Sequence, residues 1–316
     1  VLYLHIYFLG MPFLMIYNFG AAVLRSKGDT KRPLYCLIIS GVINACLNLL
    51  FVIVFKLSVA GVAIATVIAD GVSAVLIIYF LMNEEETIRL RLNKLKIKKS
   101  ELIKVIKIGV PAGLQGVVFS VSNVCIQTAI NSFGSDVIAG YSAAIKLNTF
   151  AITSFSTLGN AMSSYTAQNT GARKLLRIPE GLKAGIVMLI VVSLPFFIAY
   201  FVFPNTMMNI FVKSSETGII DVGRIFLKIV TPFYFVISAK LTFDGILRGA
   251  GRMRAFMAST FTDLLLRVIL AYVFSYALNS EVGIWLSWPV GWTIAAVISA
   301  VFYFIYYKTT IKNGAN

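Results

Sequence analysis

The sequence is poor in the residues that most enzymes and metal proteins use. It has one histidine and three cysteines in 316 residues. Cys36, Cys46 and Cys125 lack CxxC spacing and all fall in apolar segments, so neither a zinc site nor a disulfide framework is indicated. An enzyme would need a buried nucleophile with its base, or a metal cluster. We therefore expect no enzyme activity, no metal and no organic cofactor.

Charged residues are also scarce, at 13%, whereas soluble domains carry roughly a quarter. Hydrophobic residues make up 58%, and several apolar runs reach the roughly 20 residues that a helix needs to cross a bilayer. The pattern predicts an all-α fold, a polytopic membrane helix bundle with nine segments. These are residues 1–24, 34–55, 58–82, 108–132, 137–170, 184–204, 220–247, 255–278 and 283–307.

Acidic residues are fewer than basic ones, 13 against 28, which gives a net charge of +15. The basic residues concentrate in alternate connections, which is the positive-inside pattern of membrane proteins. We therefore expect a lipid bilayer as the partner, and not nucleic acid, because no basic cluster lies outside these connections. The pattern places four loops and the C-terminus in the cytoplasm of a multi-pass cell membrane protein. The loops are 25–33, 83–107, 171–183 and 248–254.

One signature occurs twice in the chain. A Pro-Phe pair precedes a Leu-Arg-x-x-Gly turn at Pro12, Phe13, Leu24, Arg25 and Gly28, and again at Pro232, Phe233, Leu247, Arg248 and Gly251. A repeat of this period indicates a duplicated architecture, and duplicated membrane architectures are typical of secondary transporters. The first and seventh segments match, so one repeat unit has six helices. Nine helices are one and a half units, which predicts that about three helices precede this chain in a longer protein.

The repeat predicts three regions. Residues 1–83 would be the C-terminal half of a first lobe, 84–107 a cytoplasmic linker, and 108–316 a second lobe. Within the linker, Leu102, Val105 and Ile106 among lysines fit either an amphipathic helix on the membrane surface or a solvated connection. Without three of its helices the first lobe could not close its cavity, so this chain alone is expected not to transport.

Five motifs in order resemble the multidrug and toxic compound extrusion (MATE) family. They lie at 24–33, 61–67, 109–113, 164–174 and 244–251. The resemblance implies twelve helices in two six-helix lobes, with this chain starting at the family's fourth helix. It also implies a monomeric antiporter that exports small amphipathic, often cationic, compounds by alternating access, with H⁺ or Na⁺ as the coupling ion. The alternatives are a lipid-linked sugar flippase of the same broad superfamily and, more remotely, a membrane-embedded enzyme.

Ionisable residues inside apolar segments are costly, which makes them functional candidates. Lys240 and Asp244 share one helix face, as do Asp263 and Arg267. Counting from the short turn between their helices places Lys240 and Asp263 at similar depth. The spacing predicts a Lys240–Asp263 contact flanked by the other two residues. The group is either a structural ion-pair network or a cation-coupling cluster that responds to H⁺ or Na⁺.

A second cation-coupling candidate is polar and mostly uncharged. It consists of Asn18, Asn44, Asn48, Thr66 and Asp70 on the first three segments. Converging oxygens can hold a small cation or relay a proton, but such amides can also act as hydrogen-bond glue between helices. The resemblance implies a similar first-lobe site in which Asn48 stands where the family's archaeal members have a carboxylate.

The acids of the family's sodium-coupled branch are absent, since Phe119 and the region of Ile237 stand in their places. The mid-segment Pro12 and Pro232 are candidate hinges, because proline removes a backbone hydrogen bond. Candidate substrate-facing residues are Gln115, Asn123, Phe150, Tyr234 and Trp288. Trp285, Trp288 and Trp292 share a helix face, which favours an aromatic belt at the membrane interface over a surface that stacks flat compounds.

Overall fold

The structure is a computed structural model of the chain, and it describes residues 2–85 and 88–312. The linker residues 86–87 and the tail residues 313–316, both in predicted cytoplasmic regions, lie outside the described part. Throughout the described part the regular structure is helical, without strands. The α-helices are α1 (Leu2–Ser26), α2 (Lys31–Leu49), α3 (Ser58–Met82), α4 (Lys99–Asn131), α5 (Ser135–Gly171), α6 (Arg177–Phe197), α7 (Pro204–Met208), α8 (Thr217–Val230), α9 (Tyr234–Gly249), α10 (Met253–Leu278) and α11 (Val282–Tyr306).

All nine predicted segments are helical, and the predicted polytopic bundle is confirmed. Seven helices of the described residues are long and apolar enough to cross a membrane. The other two segments are α5, which is rich in Ser, Thr and Asn, and the stretch that contains α8 and α9. That stretch is divided by a short 3₁₀ turn, Thr231–Phe233, into helices of 14 and 16 residues. Pro232 lies in this turn, whereas α1 continues through Pro12.

The chain forms two compact units, Val1–Lys98 and Lys99–Asn316. The boundary differs from the predicted linker of 84–107, because α4 already begins at Lys99. Leu102, Val105 and Ile106 are therefore part of one 33-residue helix that continues into the predicted membrane segment. The lysines in this region did not stop the helix, since lysine is a good helix former.

The first unit packs α1 against α3, with α2 beside them. Its core lies near the turn between α1 and α2 and includes Tyr17, Leu24, Cys36 and Ile77. The Tyr17 hydroxyl donates to the backbone oxygen of Pro33 over 3.1 Å, so it ties α1 to the start of α2. Most of α2 is exposed, with only three buried residues.

The first copy of the repeated turn closes α1 with a Schellman motif. The Gly28 N–H donates to the Arg25 oxygen over 2.9 Å, and the Asp29 N–H donates to the Leu24 oxygen over 3.1 Å. Gly28 has a φ of 92°, which side-chain-bearing residues rarely adopt, so the glycine is required at this point.

The second copy closes α9 in the same way. The Gly251 N–H donates to the Arg248 oxygen over 3.0 Å, the Arg252 N–H donates to the Leu247 oxygen over 2.8 Å, and Gly251 has a φ of 73°. The duplicated signature therefore encodes a duplicated helix ending.

The second unit contains α4 to α11 around an aromatic core. Trp285 stacks on Tyr141 with ring centroids 5.2 Å apart, and Phe226 meets Trp285 edge-on at the same distance. Glycines bring α5 and α9 into backbone contact, because a side chain at Gly245 would overlap the Gly159 backbone. This close packing fixes α9, which carries three of the predicted site residues, Tyr234, Lys240 and Asp244.

Candidate functional site

A cavity of about 610 Å³ lies within the second unit, between α4, α5, α9, α10 and α11. This is within the range of small-molecule sites, roughly 300–1,000 Å³. Much of its wall is apolar or aromatic, and amide side chains such as Asn148 contribute polar groups. The charged side chains that line it, among the described residues, are Lys240, Asp263 and Arg267.

Lys240 joins two carboxylates at the side of this cavity. Its Nζ lies 3.0 Å from Asp244 Oδ2, one turn along α9, and 3.7 Å from Asp263 Oδ2 on α10. The predicted Lys240–Asp263 contact is thus present, although the Asp244 contact is shorter. All three residues are at most 6% exposed. Buried charges are tolerated only with partners, and this arrangement supplies them.

Asp244 lies behind the cavity wall, where α11 supports it. The Ser299 hydroxyl donates to Asp244 Oδ1 over 2.6 Å. Asp263 also faces α11, because a side chain at Gly291 would come within 3.1 Å of Asp263 Oδ1. The small residues of α11 therefore make room for two carboxylates inside the unit.

Arg267 is buried against aromatic rings. Its guanidinium carbon lies 4.6 Å from the Trp288 ring centre and 5.7 Å from the Phe119 ring centre. The side chain is 3% exposed, and its Nε and Nη2 have no hydrogen-bond acceptor among the residues described. The two cations and two carboxylates of the cluster balance in charge, but only Lys240 forms ion pairs within it.

The predicted substrate-facing residues lie in three different places. Gln115, Asn123 and Trp288 line the cavity. Tyr234 is fully buried behind it, where its hydroxyl donates to Asn148 Oδ1 over 3.1 Å. Phe150 is 67% exposed and does not line the cavity, so the structure places it on the outside of α5.

The aromatic-belt interpretation of the tryptophans is wrong. Trp285, Trp288 and Trp292 are at most 5% exposed, whereas a belt residue faces the membrane interface. Trp288 and Trp292 line the cavity with ring centroids 5.6 Å apart. The shared helix face was correctly identified, but it points into the bundle.

The first unit brings together part of its predicted polar cluster. Asn48 Nδ2 donates to Asn44 Oδ1 over 2.9 Å, and Asn44 Nδ2 donates to Thr66 Oγ1 over 3.4 Å. The buried Asn48 Oδ1 has no donor among the described residues. Asp70 is half-buried on α3, and Asn18 is exposed on α1. The amide hydrogen bonds fit the glue interpretation, and the role in coupling stays a prediction.

Several residues of the cavity were not predicted from the sequence. Tyr141 and Asn148 line it, Gly291 lies beside Asp263, and Phe119 entered only as the replacement of an acid. No charged group or local spacing marks these positions. The Trp285–Trp288–Trp292 periodicity was the one available signal for α11. Over the described part of the chain, no three His, Cys, Asp or Glu residues come together in a way that could hold a metal ion.

A polytopic helical bundle whose interior holds a cavity with buried charges has the architecture of a membrane transporter. The MatE family model matches residues 111–273, just over half of the chain, and the model of the lipid II flippase MurJ matches residues 2–134. The chain belongs to the MatE family, the MATE transporters. Proteins of this family are transporters and not enzymes.

Curated relatives support this assignment. The probable multidrug resistance protein YpnP of Bacillus subtilis (strain 168) is 28% identical over 285 residues, which are 90% of this chain and 62% of the relative. The multidrug export protein MepA of Staphylococcus saprophyticus is 23% identical over 252 residues, covering 80% of this chain and 55% of MepA. The chain thus spans about three fifths of the length of these relatives.

Solved structures show the same fold at low sequence identity. A crystal structure of MATE in complex with MaL6 matches 99% of this chain and 70% of its own, with a TM-score of 0.92 and 18% identity. A MOP superfamily transporter from Pyrococcus furiosus matches 100% of this chain and 70% of its own, with a TM-score of 0.91 and 19% identity.

Proposed function

We propose that the protein is a monomeric secondary transporter that exports amphipathic organic compounds, including cationic drugs, in exchange for H⁺ or Na⁺. The observation that carries the proposal is the buried cluster of Lys240, Asp244, Asp263 and Arg267 beside a cavity of small-molecule size. The names of the relatives, multidrug resistance and multidrug export proteins, support the substrate class.

The geometry favours Asp263 as the carboxylate that exchanges its partner. Its contact with Lys240 Nζ is 3.7 Å, whereas that of Asp244 is 3.0 Å, and Asp244 is also held by Ser299. Asp263 lines the cavity and Asp244 does not. A proton or sodium ion on Asp263 would leave Lys240 with Asp244 and free the cavity wall of one negative charge. This gives alternate states with different affinity for a charged substrate.

The basic loops support an orientation. We propose that 25–33, 83–107, 171–183, 248–254 and the C-terminus face the cytoplasm of the cell membrane, because lysine and arginine concentrate there. Transport would then proceed by alternating access between two lobes, with proline positions such as Pro232 as bending points.

Proteoliposome efflux tests the proposal. The full-length protein is reconstituted into liposomes that are loaded with an organic cation dye. A proton or sodium gradient is then imposed across the liposome membrane. We expect efflux that depends on one of these gradients, and its absence under both would reject the exporter. Asp263→Asn and Asp70→Asn separate the two candidate coupling sites. Asp221→Asn is the matched control, since Asp221 is exposed and pairs with Arg224 over 2.9 Å.

The flippase alternative has one observation in its favour, the MurJ match over residues 2–134. It predicts transfer of a fluorescent lipid-linked sugar between leaflets of the same proteoliposomes. Translocation of this lipid together with absence of dye efflux would favour the flippase.

A further inference from the structure

We infer that the cavity of the second unit binds aromatic carboxylates, with the carboxylate on Arg267 and the ring beside Trp288. This rests on the proposed transport function and adds an anionic class to its substrates. It differs from the cationic compounds that the family resemblance implies, because the cavity's own polar groups favour an anion.

The two unpartnered nitrogens of Arg267 form one edge of the guanidinium. Nε and Nη2 donate in the same direction, and this fork matches the two oxygens of a carboxylate. Arg32 in the same chain uses these two atoms for acids, Nε for Asp29 and Nη2 for Glu84 over 2.9 Å. In Arg267 the edge is buried in the wall of a cavity and has no acceptor within the described part of the chain. A buried donor pair of this kind calls for an acceptor from a ligand.

Neither nearby acid forms an ion pair with Arg267 among the described residues, and both pair with Lys240 instead. Asp263 Oδ2 faces Lys240 over 3.7 Å, and the Asp263 carboxylate is next to Gly291. Asp244 is paired with Lys240 and lies outside the cavity lining. The lining therefore has two cations and one carboxylate among the described residues, and Arg267 is the cation without an ion pair.

The surroundings of Arg267 suit a flat hydrophobic body. Trp288 and Phe119 flank the guanidinium, and Trp292 and Tyr141 also line the cavity. Aromatic walls favour aromatic ligands through offset or edge-to-face packing. A single guanidinium fork matches a monoanionic carboxylate better than a phosphate dianion, which needs more donors, since Lys240 is already shared by two acids.

A probe series with one ring system tests the charge preference. The detergent-solubilised protein is titrated with anthracene-9-carboxylate, the neutral anthracene-9-carboxamide and the cationic 9-(aminomethyl)anthracene. Binding is read by energy transfer from tryptophan, since all three tryptophans lie in the second unit and two of them line the cavity. We expect the carboxylate to bind about tenfold or more tightly than the amide, because bidentate charge-assisted hydrogen bonds are the strong ones. Equal affinities, or tighter binding of the cation, would overturn the inference.

Arg267→Lys tests the fork itself, because it keeps the charge and removes the bidentate edge. We expect the variant to lose about tenfold in carboxylate affinity and to keep its affinity for the amide. The control is Arg224→Lys, an arginine on α8 that pairs with Asp221 outside the cavity. Unchanged carboxylate affinity in Arg267→Lys would refute the assignment. If that variant does not fold, the unmodified protein and the three probes still decide the question.

Competition separates a free carboxylate from a lipid phosphate. Benzoate is expected to displace the bound probe at lower concentration than phenyl phosphate, and the reverse order would overturn the inference.

These binding measurements need no ion gradient, so they are independent of the transport assay. Carboxylate-selective binding without efflux would reject the proposed export and leave the cavity assignment standing, whereas gradient-driven dye efflux without carboxylate selectivity would reject only the assignment.

Discussion

Both units end a helix with the same turn, but their ion pairs lie in different places. Those of the first unit surround the turn, and the buried ones of the second unit lie inside the helix bundle. In the first unit the turn is held by ion pairs, with Lys27 Nζ 2.9 Å from Glu85 Oε2 and Arg32 Nη2 2.9 Å from Glu84 Oε2. Between its membrane segments, an amide hydrogen bond from Asn44 to Thr66 joins α2 to α3.

In the second unit the turn is held by bonds to neutral groups. Arg248 Nη2 donates to Asn160 Oδ1 over 2.6 Å, and Arg252 Nη2 donates to Thr310 Oγ1 over 2.9 Å. The ion pairs centred on Lys240 lie inside the bundle, whereas the Arg224–Asp221 pair of the same unit is on the outside of α8, away from the turn. Duplication has therefore preserved the backbone of the turn, while the location of charge has diverged. Stability should depend on different residues and conditions in the two units.

The largest effect is expected from Lys240→Met. It leaves the carboxylates of Asp244 and Asp263 buried without their shared cation, and breaking such a pair costs about 3–5 kcal/mol. Denaturant unfolding followed by tryptophan fluorescence measures the loss in the second unit. Lys228→Met is the control, because Lys228 is exposed. A loss below about 1 kcal/mol would contradict the assignment of Lys240 as the essential partner.

The next largest difference in stability loss between the two units is expected from replacing one glycine in each by alanine. Gly245→Ala places a methyl group against the Gly159 backbone, which cannot move aside, so we expect a loss of about 1–3 kcal/mol. Gly20→Ala in the first unit meets the side chains of Ile77 and Leu81 rather than backbone. Ile77 is β-branched and fully buried, so this overlap also costs stability, but side chains can shift and alanine gains helix propensity. We therefore expect a smaller net loss, below about 1 kcal/mol.

Each glycine variant has its own reporter. Tryptophan fluorescence follows the second unit. In a Cys46→Ser, Cys125→Ser background, thiol reactivity of the fully buried Cys36 follows opening of the first. Comparable losses in the two variants would show that backbone contact does not distinguish the two helix pairs.

A smaller effect is expected from Asn44→Ala in the first unit. The change removes the bonds to Asn48 and Thr66, worth about 1 kcal/mol in total because the site is only half-buried. Cys36 reactivity measures it, and Asn18→Ala on the exposed side of α1 is the control. A loss as large as that of Lys240→Met would remove the contrast between the polar and charged clusters.

The smallest effect is the acid sensitivity of the first unit. Burial alone raises the pKa of Asp29, but hydrogen bonds and charge from Arg32, with the Lys31 N–H, lower it overall. The pKa of Glu84 is likewise lowered, because the Arg32 hydrogen bond and charge outweigh its desolvation. A lowered folded-state pKa stabilises the fold above the ordinary carboxyl pKa of about 4, and the contribution is lost as the pH falls through the folded value.

We therefore expect Cys36 to become more reactive below about pH 4. Reactivity is measured with 4,4′-dithiodipyridine, which reacts with thiols in acid. Arg32→Gln should weaken this dependence, since it removes the partner of both carboxylates. An unchanged pH profile in that variant would show that the ion pairs do not hold the turn.

The sequence predicted the positions of the helices better than it predicted which face of each helix is buried. Hydropathy identified all nine segments, and the Gly28 and Gly251 turns followed from glycine chemistry. The start of α4 was missed, because a lysine-rich stretch is equally compatible with a loop and with a helix. Phe150 and Trp288 show the main difficulty. Both are aromatic residues on predicted membrane segments, and only the packing of neighbouring helices makes Phe150 exposed and Trp288 buried.

The charged cluster was predictable because charge inside an apolar segment is rare and helix spacing limits its partners. Lys240 and Asp263 could be paired by counting residues from the intervening turn. The orientation of Arg267 could not be found in this way, since it depends on Phe119 and Trp288 from α4 and α11. Contacts between helices distant in sequence have no local signal.

The 3₁₀ turn at Thr231–Phe233 divides one transmembrane segment into two helices with different contacts. The α8 side is anchored by Phe226, whose ring lies edge-on to Trp285 and Trp288, and the α9 side carries Lys240 and Asp244. If Pro232 is the bending point that we propose, the tilt of α9 carries Lys240 and Asp244 together, because both lie on this helix, while Phe226 stays packed on Trp285 and Trp288. Two buried charges could then move relative to the membrane without unfolding of α8 or α9.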